Sequence, residues 1–165
     1  MDRALRTARC TLTPLQEGDL ADVVALYVDE EVRRFLGGPA DEDEVRTSFL
    51  TLIEREASGS ALRYWVIRLK DGSFVGTVSL GAHHNSDDTE ISYQLLPLWW
   101  GRGYAGEAVG AAVEYALSEL RLPRVVAETQ RANLASCRLL ERLGMRPERT
   151  VERFGAAQAI YVRDA

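Results

Sequence analysis

The stretch Trp99 to Val109, WWGRGYAGEAV, places glycines at 101, 103 and 106 just ahead of a run with helical spacing. Glycine has no Cβ, so a turn built from it lets backbone N–H groups and a helix N-terminus approach an anion closely. The chemistry on offer is the holding of a phosphate or pyrophosphate. The same letters spell the G-x-G-x-x-G of dinucleotide folds, and Glu128 stands about 20 residues further on, where such a fold wants its ribose-binding carboxylate. Two cradles compete for one motif, and the elements around it decide between them.

Arg9 to Leu15, RCTLTPL, reads as a strand. Gly18 and Asp19 then open a helical pattern with Leu20, Val23, Val24, Tyr27 and Val28 on one face. Asp41 with Glu44 three residues on resembles a capping box, and Val45, Phe49, Leu52 and Ile53 give the stripe of a second helix. Residues 62 to 80 form two β-rich runs around Lys70-Asp71-Gly72-Ser73, a hairpin with an Asp-Gly turn. Gly81 to Asp88, GAHHNSDD, is a loop by composition, and Thr89 to Leu96 is the next strand. Gly106 to Leu120 follows as a helix, Pro123 breaks it, and Arg124 to Thr129 is a strand, so residues 89 to 129 make a βαβ unit with a parallel pair. Leu134 to Leu143 is a short helix stopped at Gly144, and Thr150 to Phe154 with Ala159 to Arg163 form a closing hairpin. A dinucleotide domain needs a run of βαβ units, whereas this chain spends residues 62 to 96 on antiparallel strands. Pro97 to Trp100 also separate the strand from its glycines. The cradle is therefore one for another anion.

At 165 residues with 46% hydrophobic content the chain suits one domain, residues 1–165, with a real core. A net charge of −5 offers no basic stripe, which argues against nucleic acid as a partner. No apolar run approaches the roughly 20 residues that span a bilayer, and Met1 to Thr13 lacks the apolar core of a signal peptide. Cys10 and Cys137 have neither metal-ligand spacing nor disulfide density. No metal, no membrane partner and a cytoplasmic location are the expectations.

Read with its flanks, WWGRGYAGEA followed by RVVAETQRANLASCRLLERLGM resembles the GNAT superfamily of acyl-CoA-dependent N-acyltransferases, in particular its RimJ/RimL-like branch. The resemblance runs from about Thr7 to Arg163: LTPLQEGDLADVVALYVDEEVRRFLGGP resembles the N-terminal strand and helix pair, YWVIRLKDGSFVGTVSL the central hairpin, TEISYQLLPLWWGRGYAGEA the fourth strand and pyrophosphate loop, and FGAAQAIYVRD the last strands. It implies an α+β fold, with a mostly antiparallel central sheet, a parallel pair of fourth and fifth strands that splay apart, and flanking helices. Acetyl-CoA is the implied acyl donor, entering the gap, with the pyrophosphate on the loop N–H groups of Arg102, Gly103, Tyr104, Ala105 and Gly106. Trp100 stands where the superfamily's loop has Gln or Arg, a departure usual in this branch, while Gly103 and Ala105 conform.

The implied reaction is transfer of acetyl to a primary amine, of a small molecule or a peptide N-terminus, by direct attack in a ternary complex. The alternative is an acyl-CoA-binding or sensing module without turnover. The resemblance leaves a homodimer open. Direct aminolysis needs a neutral amine, a polarised carbonyl and a proton for the departing thiolate. A backbone N–H between Tyr93 and Leu95 is the implied polarising group. Asn133 and Ser136 match the branch's N-x-x-S, implying contacts of Asn133 with pantetheine and of Ser136 with the thioester sulfur; Asn133 also suits a plain helix N-cap. The Tyr that many members carry seven residues after this Asn is Leu140 here.

Glu128 matches the carboxylate that deprotonates the amine through water in some members, although a strand-end carboxylate paired with an arginine reads equally well. Glu90 is a second candidate. His83 and His84 have suitable unperturbed imidazoles but lie in a polar loop and are expected to face solvent. Glu107 complements the helix dipole, Trp65, Trp99 and Trp100 read as anchors, and the arginines from 138 to 153 include candidates for the CoA 3'-phosphate.

Overall fold

The computed structural model describes residues 4–165. Its sheet grows outward from the hairpin of β3 (Arg63–Leu69) and β4 (Phe74–Ala82), joined through Lys70 to Ser73. On one side β3 pairs antiparallel with β2 (Cys10–Pro14), which pairs with the two-residue β1 (Leu5–Arg6). On the other side β4 pairs antiparallel with β5 (Thr89–Leu95). Then come β6 (Arg124–Gln130) and, at the far edge, the hairpin of β7 (Arg146–Arg153) and β8 (Ala156–Asp164), giving the order β1-β2-β3-β4-β5-β6-β8-β7 in one eight-stranded sheet.

Helices cover both faces because the strands alternate. Leu12, Trp65, Ile67, Val78, Leu80, Ile91, Val125 and Ala127 face α4 (Tyr104–Glu114) and α5 (Leu134–Arg142), meeting Ala108, Val109, Ala112, Leu139 and Leu140. Tyr64 and Val66 point the other way, into a second cluster with Val23, Val24 and Leu26 of α1 (Leu20–Val28), Val32 of α2 (Glu30–Arg33), and Val45 and Phe49 of α3 (Glu42–Ala57). Asp41 caps α3 by accepting from the Glu44 N–H at 3.1 Å, which is half of the capping box its spacing suggests.

The parallel pair is short. β5 and β6 meet only at Thr89↔Val125 and Glu90↔Val126. Beyond these, β5 stays with β4 as far as Leu95↔Gly76, and β6 stays with β8 as far as Gln130↔Gln158. Each strand follows its own antiparallel neighbour, so a wedge opens between Ile91–Leu95 and Ala127–Gln130. Because β1 precedes the expected first strand, the splayed pair is the fifth and sixth.

Several boundaries move for local reasons. β4 runs on through Gly81 and Ala82, which pair with Glu90 and Thr89. α4 begins at Tyr104 because Gly103, at φ 83, turns the chain into it. It ends in a π turn over Tyr115–Glu119. β7 and β8 form a longer hairpin than expected, and Phe154 lies in its turn at φ 55, beside Gly155 at φ 73. None of the helices among the described residues is long and apolar enough to cross a membrane.

Candidate active site

The glycine loop is braced from the N-terminal strands. Gly103 lacks a side-chain cap for α4, so the first N–H groups of the helix, those of Tyr104, Ala105 and Gly106, remain open to an outside acceptor. A Cβ on Gly103 would stand 3.0 Å from Arg9 Nη2. Arg9 reaches across to the loop: its Nε pairs with Glu107 Oε2, its Nη1 donates to the Arg102 carbonyl at 2.9 Å, and its Cζ lies 4.5 Å from the Tyr104 ring centroid. Thr7 Oγ1 donates to Glu107 Oε1 at 2.9 Å. Glu107 thus ties the β1–β2 turn to the first turn of α4, and burial is outweighed by the bonds from Thr7 and Arg9, which hold its carboxyl below the usual range. The indoles secure the approach: Trp99 Nε1 donates to the Phe74 carbonyl and Trp100 Nε1 to the Leu95 carbonyl, both at 2.8 Å. Open helix N–H groups beside an arginine fit a pyrophosphate.

The wedge lies next to this loop. The Leu96 N–H bonds Val75 O on β4, so by strand alternation the N–H groups of Ile91, Tyr93 and Leu95 point toward the opening. The N–H groups of Tyr93 and Leu95, within the stretch expected to supply the polarising group, thus face the opening. Asn133 Oδ1 accepts from the Ser136 N–H at 3.2 Å, so the capping role is real. That bond uses only the amide oxygen and leaves the amide hydrogens for another partner.

On the face that packs against α4 and α5, Ser136 Oγ lies 2.6 Å from Tyr93 Oη. Burial pushes the Tyr93 phenol up to about 12. The sequence singles out Tyr93 only for its backbone N–H. Leu140, where a tyrosine stands in many relatives, is fully buried in the core, and the hydroxyl beside Ser136 comes from β5 instead. Strand alternation was the available signal, since it puts Tyr93 on the same face as Ile91 and Leu95.

Glu128 lies on the opposite face of the sheet. Its side chain is 6% exposed, Oε2 is 2.9 Å from His83 Nε2 and 3.8 Å from His84 Nε2, and Oε1 is 3.1 Å from Arg153 Nε. Oε1 nevertheless has no aligned hydrogen bond. The arginine partner that a purely structural role requires is thus present in Arg153, alongside the features of a base. Glu90 is a strand neighbour on the same face; burial raises its carboxyl, with the Glu128 charge adding to the effect. His83 corrects the expectation of solvent exposure: it is buried at 3%, because its loop folds back to bond its N–H to the Asp88 carbonyl at 2.9 Å. His84 remains half exposed. The nearest approach to a metal site among the described residues is His83, His84 and Glu128, with ligand atoms within 4.8 Å of one another. The Arg153 cation against the same carboxylate opposes a metal there.

An anion cradle beside a strand wedge, with a hydroxyl pair on one face and a carboxylate on the other, is an arrangement suited to an acyl-CoA-dependent transferase. The chain belongs to the GNAT acetyltransferase family: residues 9–146 match the family described as "Acetyltransferase (GNAT) domain". It is 28% identical over 163 residues to protein YkkB of Bacillus subtilis, covering 96% of this chain and 94% of that one. It is 32% identical over 151 residues to the FsC-acetyl coenzyme A-N(2)-transacetylase of Aspergillus fumigatus, covering 86% of this chain and 64% of the longer relative. The crystal structure of the acetyltransferase from Agrobacterium tumefaciens superposes with a TM-score of 0.85 at 25% identity, covering 100% of this chain and 96% of that one. The protein is an acetyltransferase whose donor is acetyl-CoA and whose acceptor is an amine.

Proposed function

We propose that this enzyme, a member of the RimJ/RimL-like branch forming one cytoplasmic domain, acetylates the primary amine of a small cationic molecule or a peptide N-terminus. One observation carries the reading: the β5–β6 wedge has a hydroxyl pair, Tyr93 and Ser136, on one face and a carboxylate, Glu128, on the other.

The loop N–H groups from Arg102 to Gly106 hold the pyrophosphate, the Asn133 amide hydrogens bond the pantetheine arm, and the Leu95 N–H on the wedge edge polarises the thioester carbonyl. The acceptor enters from the side of Glu90 and Glu128. Glu128 is nearly closed to solvent, which supports proton removal through a water. The freed nitrogen lone pair attacks the thioester carbon, a C–N bond forms, the C–S bond breaks, and the thiolate leaves toward Ser136 and Tyr93. A binding module without turnover would have no use for an acid and a base placed this way.

The test is an acetyl-CoA consumption screen over N-terminal peptides, polyamines and aminoglycosides, repeated with Glu128→Gln. Loss of a positioned base costs about 10²- to 10⁴-fold in turnover, with acetyl-CoA affinity retained and partial rescue at high pH. Wild-type turnover by Glu128→Gln across the pH range removes Glu128 from the mechanism.

A further inference from the structure

The Glu128 carboxylate is the end of a chain of hydrogen bonds that starts at the surface. His83 Nε2 lies 2.9 Å from Glu128 Oε2, His83 Nδ1 lies 3.0 Å from Ser86 Oγ, and Ser86 Oγ donates to Asp88 Oδ2 at 3.0 Å. Asp88 is gripped by Arg124, whose Nε and Nη2 each donate at 2.7 Å to one of its oxygens. That guanidinium holds the Asp88 carboxyl below the usual carboxylate range, so Asp88 is an acceptor only. A serine hydroxyl has one proton to give. While Asp88 takes it, Ser86 Oγ can only accept from the ring, and Nδ1 must carry hydrogen. Nε2 then faces a carboxylate oxygen at hydrogen-bond distance, where two bare lone pairs repel and one proton between them resolves the clash.

We infer that His83 and Glu128 form a one-proton dyad, in which the imidazole, oriented by Ser86 and Asp88, determines when Glu128 is free to take the acceptor's proton. His83 is a positioning residue in this scheme, since its side chain is 1% exposed and acts through Glu128. In the protonated pair the ring is a cation with Nδ1–H on Ser86 and Nε2–H on Glu128. When the Nδ1 proton leaves for solvent, the Ser86 hydroxyl turns from Asp88 to Nδ1, and a neutral ring keeps its Nε2–H on Glu128. The carboxylate is then held by a neutral donor. The ammonium proton then reaches the carboxylate through a water: the ammonium N–H bond breaks as the water takes its proton, the water gives one of its own to Glu128 as an O–H bond forms, and the amine nitrogen keeps the electron pair, while Oε1 stays buried against Arg153.

The charged and titratable groups around the pair come from every neighbouring element. His84 stacks on His83 with centroids 4.9 Å apart, Glu90 interacts from β5, Arg153 stands 3.1 Å from Oε1 at the end of β7, and Arg124 bridges Asp88 to Glu148. A cation shared by His83, His84 and Glu128 could replace the proton, but Arg153 sets a fixed positive charge against it.

The inference rests on the acetyltransferase reading with Glu128 as base, and the experiment separates the two. Imidazole nitrogen NMR on the full chain needs no acceptor: at low pH both His83 nitrogens are expected to carry hydrogen, and proton loss should follow the acid limb of kcat/KM, measured by free-thiol release with the best amine of the screen. His83→Gln keeps a donor toward Glu128 but cannot ionise. It should lower kcat by about 10-fold or more, leave the acetyl-CoA KM unchanged and abolish that acid limb. Ser86→Ala, a surface-loop change that spares the fold, removes the acceptor for the charged ring. It should move the acid limb about one unit to lower pH, the equivalent of one hydrogen bond to a charged group. If Glu128→Gln is inactive while both variants keep the wild-type profile, the dyad is wrong and the base stands. If Glu128→Gln is fully active, both fail. A bare Nδ1 at every pH, or stoichiometric Zn²⁺ binding that requires His84, overturns the dyad as well.

Discussion

Replacing Tyr93 by Phe removes one oxygen from the wedge and leaves the ring that packs beside Ile91 and Leu95. The missing oxygen is the one 2.6 Å from Ser136 Oγ. The phenol stands at about 12, whereas a simple thiol ionises near 8.5, so full proton transfer from Tyr93 to a departing thiolate is uphill by about 3.5 units, or about 5 kcal/mol. In the proposed mechanism Tyr93 is therefore a donor that stays protonated, stabilising negative charge on sulfur directly or by polarising the Ser136 hydroxyl. Hydrogen bonds to charged groups contribute about 1.5–3 kcal/mol, which corresponds to a fall in kcat of about 10- to 150-fold for Tyr93→Phe.

Steady-state release of free CoA, followed with a thiol reagent, measures this. The acetyl-CoA KM should move little, because the ring and the cradle are intact. Since burial keeps the phenol protonated at all ordinary assay pH values, the wild-type kcat profile should show no alkaline decline from Tyr93 below about pH 11. Ser136→Ala should cost a similar or smaller factor, and the double variant should be no worse than the product of the two. A fall of less than about 3-fold in Tyr93→Phe, in a protein as stable as the wild type, would refute the assignment of the hydroxyl pair to the leaving group.

Gly103→Val should abolish acetyl-CoA binding in calorimetry without unfolding the chain, because a β-branched residue resists φ 83 and its Cβ would press on Arg9 Nη2. Gly76→Ala should destabilise the fold by about 3 kcal/mol or more in thermal or denaturant unfolding, since its Cβ would stand 2.1 Å from the Gln94 carbonyl oxygen of β5. The Asp88 carboxyl is lowered in the fold, so its contribution is present above the ordinary carboxylate pKa and is lost as pH falls through its folded value. Asp88→Asn should accordingly lower Tm at pH 7 by a few degrees, and the deficit should shrink below about pH 4.

The legible parts of this molecule are those whose cause is local. Asp41 and Glu44 announce a helix start because a cap acts over three residues, and Asp71-Gly72 announces a hairpin because the turn acts over four. The glycine loop is legible as an anion cradle for the same reason, and the elements around it exclude the dinucleotide reading. The neighbours in the candidate site lie further apart. Tyr93 and Ser136 are 43 residues apart, and His83 and Glu128 are 45. No spacing rule reaches that far. GAHHNSDD looks solvated by composition, yet Ser86 and Asp88 satisfy the His83 ring and Arg124 satisfies Asp88, so a polar loop buries an imidazole without leaving it unpaired. Phe154 shows the converse: its β-prone type favours a strand, but the hairpin needs positive φ at two consecutive turn residues, and Phe154 and Gly155 supply them.

On the proposed assignment, the placement of acid and base on opposite faces follows from what the reaction demands. A carboxylate that removes a proton and a hydroxyl pair that stabilises a thiolate work against each other if they touch, since the carboxylate would accept the very hydrogen the thiolate needs. A continuous parallel pair would keep them apart but would fill the space between them with ladder hydrogen bonds. Stopping the β5–β6 ladder after Glu90↔Val126 removes that backbone while leaving each strand secured by its outer neighbour. The N–H groups of Tyr93 and Leu95, released from any ladder, then line the opening. In the proposed mechanism, a thioester reaching in from the α4 side meets the hydroxyls at its sulfur and the backbone donors at its oxygen, and an amine arriving from the Glu128 side meets the carbonyl carbon from the other direction.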